Sequence, residues 1–135
     1  MDAFDADVLI YAAVPGHALG EPVRALIEAG RASSAVTSMG SVLLLPELLS
    51  KPTRDGATGE VGALVSLLGH LELVGVDEAI AALAVELGAS HRLRPSDSVH
   101  LTTAVAMGAD RFVTNNRRDF GDHIDEIEVV HPDAL

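Results

Sequence analysis

Asp5 and Asp7 stand two residues apart near the head of the chain. Glu47 lies in its first half, and Asp97, Asn115, Asn116 and Asp119 fall in its last third. Carboxylates brought together in such numbers repel one another and raise their own pKa values unless a cation compensates, and magnesium or manganese prefers oxygen ligands of this kind. The chemistry open to them is metal-assisted hydrolysis, in which the ion lowers the pKa of bound water and neutralises charge on the group attacked. Taken singly, each residue has an ordinary explanation: Asp97 as a charge at a helix N-terminus, Asp5 as a turn residue, Glu47 as a solvated helix position. The metal reading rests on their joint arrangement.

Composition narrows the field. With 135 residues, 48% of them hydrophobic, the chain can bury a core as one domain spanning 1–135. It has no cysteine, so disulfides, thiolate zinc sites and cysteine nucleophiles are excluded and any metal must be held by oxygen or imidazole. The formal charge of −11 argues against a broad basic surface coating nucleic acid. An acidic site screened by its own ions and flanked by a few arginines remains compatible with phosphate chemistry. Arg92, Arg94, Arg117 and Arg118 cluster around the last acidic residues and would suit phosphate contacts, while one tyrosine and three phenylalanines leave little for base stacking. His91 and His100 lack zinc-motif spacing, and His100 is expected to pack or hydrogen-bond. The N-terminus carries no basic leader and no apolar run approaches the roughly 20 residues that span a bilayer, so a cytoplasmic protein without membrane contact is expected.

The elements that must position these residues alternate in type. Ala3 and Phe4 suit a short first strand, with Val8–Ala13 continuing as a loop or helix. Glu21 to Val23 start a helix that Gly30 ends. Ser34–Thr37 reads as a second strand, and Ser41 caps the helical stretch SVLLLPELLSKP, where Pro46 predicts a kink or a late start. A helix over Gly59–Leu68, a strand over Leu71–Val76 and a helix over Glu78–Leu87 closed by Gly88 follow. Ser96 caps the next helix, Gly108 terminates it, and Arg111–Thr114 and Ile127–Val130 supply two more strands. This order predicts an α/β fold: a central parallel sheet of four to five strands flanked by helices, in three α/β/α layers. Functional groups in such sheets gather beyond the carboxyl ends of the strands.

FDADVLIYA resembles the opening motif of PIN domains, in which an aspartate ends the first strand before a small residue, a polar residue and an apolar run. SVLLLPELLSKP is similar to the second motif, with Glu47 as its glutamate, and RPSDSVHLTTAVAMGADRFVTNNRRDF resembles the third and fourth. The resemblance spans about Asp2 to Phe120. It implies a metal-dependent endoribonuclease, most often the toxin of a VapBC-type toxin–antitoxin pair. Asp5, Asp97 and Glu47 would then anchor Mg2+ or Mn2+. Two positions depart from the pattern. Asn116 stands where many members carry a fourth acid, leaving Asp119 as the nearest acidic candidate, and Pro46 immediately precedes Glu47.

The resemblance also implies partners: an RNA substrate, a cognate antitoxin whose tail brings an arginine to the acids, and a second copy in a homodimer. Val61–Leu68 and the alanine-rich helices would offer the groove and the dimer face. Two other readings compete. Asp5-Ala6-Asp7 looks like the nucleophile motif of haloacid-dehalogenase-type phosphotransferases, with Gly121–Asp125 as the metal motif and Lys51 as the lysine. A PIN domain that has lost metal affinity through Asn116 would serve as a binding module alone.

Overall fold

In the computed structural model, which describes residues 1–135, pairs of helices separate the first four strands, and the fifth strand follows the fourth with no helix between. The order is β1 (Asp2–Phe4), α1 (Ala6–Ala12), α2 (Gly20–Gly30), β2 (Ser38–Ser41), α3 (Leu44–Arg54), α4 (Thr58–Leu68), β3 (Glu72–Val74), α5 (Glu78–His91), α6 (Pro95–Ala106), β4 (Arg111–Val113) and β5 (Glu128–Val130). A short 3-10 turn over Pro132–Ala134 ends the chain. All five strands pair in parallel in the order β3-β2-β1-β4-β5. The chain steps outward from β1 to β3, then returns to the other side of β1 with β4. The crevice between β1 and β4 is thus the topological switch point, beyond whose carboxyl ends such sheets bind ligands.

The pleat sends successive side chains to opposite faces. Phe4 and Val113, partners in register, face a core shared with Val8 and Leu9 of α1, Leu44 and Leu48 of α3 and Leu64 of α4. Ala3 and Phe112, the adjacent pair, face the other way onto Leu101 and Ala104 of α6, with Phe120 closing that cluster. The rings of Phe112 and Phe120 meet edge to face at 5.1 Å. Each fully buried side chain of this size stabilises the fold by about 1.5–3 kcal/mol. No helix is long and apolar enough to cross a membrane.

Four local expectations need correction. The second strand is Ser38–Ser41 rather than Ser34–Thr37, and all four of its residues are buried between β1 and β3. Its sequence, SMGS, carries little strand propensity; burial on both faces overrides it, and a Cβ at Gly40 would lie 2.4 Å from Leu44 Cδ1, so that side chain would have to shift. Ser41 therefore ends a strand instead of capping a helix, although its Oγ accepts from the Leu43 N–H at 3.2 Å. Helix α3 starts late, at Leu44, which leaves Pro46 in the first turn where its missing N–H is not required. Gly88 lies inside α5, which runs on to His91 and ends with Arg92 in the left-handed conformation at φ 55°. What Gly88 provides is closeness, since a Cβ there would meet Ser98 Oγ of α6 at 3.0 Å. Ser96 lies within α6, whose cap position is Arg94 with Pro95 at the first helical residue. Gly108 ends α6 as expected, with φ +70°.

Candidate metal centre

Asp5 is where β1 ends and α1 begins. Its backbone is extended at φ −80° and ψ 162°, the conformation of a helix cap, and its Oδ1 accepts from the Ala6 N–H at 2.8 Å. Its Oδ2 accepts from Thr114 Oγ1, also at 2.8 Å, so the carboxylate ties the end of β1 to the end of β4. Thr114 is itself fixed, because its carbonyl meets His131 Nδ1 at 2.7 Å. Burial pushes the Asp5 carboxyl above the ordinary range, while the Thr114 hydroxyl and the nearby His100 pull it back. Asp7 accepts from the Val8 N–H at 2.7 Å and the Asn115 N–H at 3.1 Å, a second link between the β1 and β4 ends. Its carboxyl is pushed up to about 6, by burial first and then by Asp5.

Asp97 sits in the first turn of α6, half-buried, and no hydrogen bond engages its carboxylate. Burial, then Asp5 and Asp119, raise it above the ordinary range. Glu47 sits in the first turn of α3 with its side chain 31% exposed, and its Oε2 meets His100 Nε2 at 3.1 Å. Glu47 also acts on both Asp5 and Asp97. These charges therefore share one region although they come from four elements and 115 residues of sequence.

The turn after β4 answers the question posed by Asn116. Its Nδ2 donates to Asp119 Oδ2 at 2.9 Å, and its Oδ1 accepts from the Asp119 N–H at 3.2 Å. Asn116 thus folds the turn that presents Asp119, with its own carbonyl oxygen engaged, while Asp119 acts on Asp97. Of the four arginines, Arg117 pairs with Asp133 at 2.5 Å in an exposed ion pair. Arg92, Arg94 and Arg118 are exposed, with no carboxylate partner.

The donor set fits a hard divalent cation. It is all oxygen, and three of its carboxyls have their proton affinity raised by burial and by one another, a strain that a cation would relieve. No three of these side chains bring ligand oxygens within 4.8 Å of one another, which suits an ion that keeps several waters and takes one or two carboxylates directly. The tight triple in the chain is instead His91, Asp125 and Glu126, where His91 Nε2 meets both Glu126 oxygens at 2.9 and 3.0 Å. The phosphotransferase reading loses its parts here. Lys51 pairs with Asp55 at 2.9 Å on the exposed side of α3, and Asp125 joins His91 rather than Asp5.

The sequence counts Asp7 among the clustered acids without naming it as a ligand, and it does not point to Tyr11 or Thr114 as components. Thr114 carries no charge to attract notice, and Tyr11, which receives Asn115 Nδ2 at 3.4 Å, reads as one more apolar residue of the VLIYA run. Asp7 stands two residues from Asp5, in the first turn of the short helix that Asp5 caps.

The family model for the PIN domain matches residues 3–125. A toxin-antitoxin complex from Klebsiella pneumoniae contains a chain that superposes with a TM-score of 0.73 at 20% identity, covering 100% of this chain and 100% of that one. VapBC2 from Rickettsia felis, solved bound to a DNA fragment from their promoter, gives 0.74 at 17% identity over 96% of this chain and 97% of that one. No curated protein sequence matches. At these identities the two structures speak for the fold.

Proposed function

Since the chain belongs to the PIN domain family, we propose that it is a metal-dependent endoribonuclease and the toxin half of a toxin–antitoxin pair. The observation that carries the reading is the meeting of Asp5, Asp7, Glu47, Asp97 and Asp119 at the switch point of a parallel sheet. Resemblance of the fold to chains from toxin-antitoxin complexes supports the second half of the reading.

Asp5, Asp97 and Glu47 would hold Mg2+ or Mn2+, with Asp119 as the further acid. When bound, the ion would supply Lewis acidity toward water and the phosphodiester oxygens. The chain's own part is positioning. Ala6 and Thr114 fix the Asp5 carboxylate, Val8 and Asn115 fix Asp7, and Asn116 holds Asp119 toward Asp97. Arg92, Arg94 and Arg118 suit contacts to the RNA backbone. Tyr11, stacked on His17 at 4.5 Å, is already engaged, so recognition through base stacking has little to work with.

The antitoxin would lie in the groove between α1 and α4, where Ile10, Ala13, Val14, Pro15, Ala63 and Leu64 form an apolar lining. Ile10 and Val14 are about half exposed, at 46% and 48%. A homodimer would use the α5–α6 face, on which Val85 is 71% exposed. Incubating RNA with the purified chain tests the reading. Cleavage in manganese that stops with EDTA and with the co-expressed antitoxin is expected. RNA left intact beside a chain that binds no manganese at millimolar concentration would support the binding-module reading instead.

A further inference from the structure

We propose that His100 is a positioning residue, whose Nε2–H holds the Glu47 carboxylate at the metal centre. The inference rests on the metal reading above and assigns a role within it. His100 is one helical turn beyond Asp97 on α6, so the two share a face. Its side chain is 1% exposed, and its Nε2 meets Glu47 Oε2 at 3.1 Å. The Glu47 carboxylate has no other hydrogen-bond partner. α3 belongs to the core on one side of the sheet and α6 to the core on the other. The contact therefore joins the two helix layers, between residues 53 positions apart.

The other ring nitrogen decides between packing and positioning. Nδ1 is buried and has no hydrogen-bond partner. A buried imidazole kept for packing alone ordinarily satisfies both nitrogens. Here the one nitrogen served is the one that meets a candidate ligand. A carboxylate in this role only accepts, so Nε2 carries a proton and donates it. Because the ring is enclosed and its Nε2–H is engaged, His100 cannot reach substrate, which makes it a positioning residue and not a catalytic one. Residues that orient a ligand in this way typically change metal affinity by about 10- to 100-fold when removed.

The test compares His100→Gln, His100→Asn and His100→Ala. A glutamine amide nitrogen reaches about as far as Nε2, whereas an asparagine amide stops near Nδ1. Calorimetry with Mn2+ should show affinity falling about 10- to 100-fold in His100→Asn and His100→Ala, and largely restored in His100→Gln. Glu47→Gln should show the same loss, and the His100→Asn, Glu47→Gln double variant should lose little more than either. In the metal-free wild type, nitrogen NMR of the imidazole should report a proton on Nε2. Wild-type affinity in His100→Asn, a Gln variant no better than Asn, or an Nδ1–H tautomer would each overturn the assignment. If His100→Ala fails to fold, the Gln and Asn pair decides alone. A wild type that binds manganese and leaves RNA intact defeats the nuclease reading while the same pair still decides the positioning role; a wild type that binds no manganese defeats both.

Discussion

Asp5, Asp7 and Asp97 all have folded-state pKa values above the ordinary carboxylate value of 3.8, with Asp7 near 6. Between those values the folded chain binds more protons than the unfolded one, so lowering the pH from 7 through about 6 to 4 stabilises the metal-free fold. The same stabilisation is lost as pH rises through 6. Melting in EDTA should therefore occur at higher temperature near pH 5 than at pH 7, and Asp7→Asn should flatten that slope. A wild type that melts lower at pH 5 would show that these carboxyls are not crowded. Asp119 presents the same chemistry with looser support, since it acts on Asp97 but hangs from a turn that Asn116 holds. Asp119→Ala should weaken cleavage mainly at low metal concentration, by about 10- to 100-fold, and recover as metal is raised. Loss that ignores metal concentration would place Asp119 outside the ligand set. At this scale most of the site was legible in the sequence. Carboxylates announce themselves by type, whereas Thr114 does its work through one hydroxyl whose partner, Asp5, lies 109 residues away.

The elements that carry these residues were legible where local chemistry sets them, and less so where tertiary contact does. Asp77 caps α5 by accepting from the Ile80 N–H at 2.8 Å, and Asp77→Ala should cost about 0.5–2 kcal/mol, read as a lower urea midpoint with an unchanged slope. An unchanged midpoint would mean that packing on α6 holds the helix end by itself. The α6 helix and β4 fall almost where periodicity and glycine put them, because the pattern around Asp97 is strong. The second strand does not, since SMGS becomes a strand only when β1 and β3 enclose it. Gly88 misled for a related reason. A glycine near a predicted helix end reads as a stop, but this one admits α6, and Ser98 Oγ fills the space with a hydrogen bond to the Ala84 carbonyl at 2.5 Å. The actual stop is Arg92, a non-glycine residue in the left-handed region that nothing in its type foretells.

For the molecule as a whole, a net charge of −11 sits on a chain proposed to handle RNA. The two facts agree if the attraction to phosphate is local, made by a bound cation and the exposed Arg92, Arg94 and Arg118. The five-stranded parallel sheet supplies the frame. It ends β1 and β4 side by side, brings the first turns of α3 and α6 toward that edge, and leaves the α1–α4 groove open on one flank. Under the proposed function, Asp5 and Asp97 would make this edge a metal-dependent ribonuclease centre. The most direct test is RNA cleavage by Asp5→Asn and Asp97→Asn across a manganese titration, with folding verified by circular dichroism. Both variants should fold, melt no lower than wild type without metal, and lose cleavage by at least about 100-fold at every manganese concentration. Near-normal cleavage by either folded variant would contradict the proposed function.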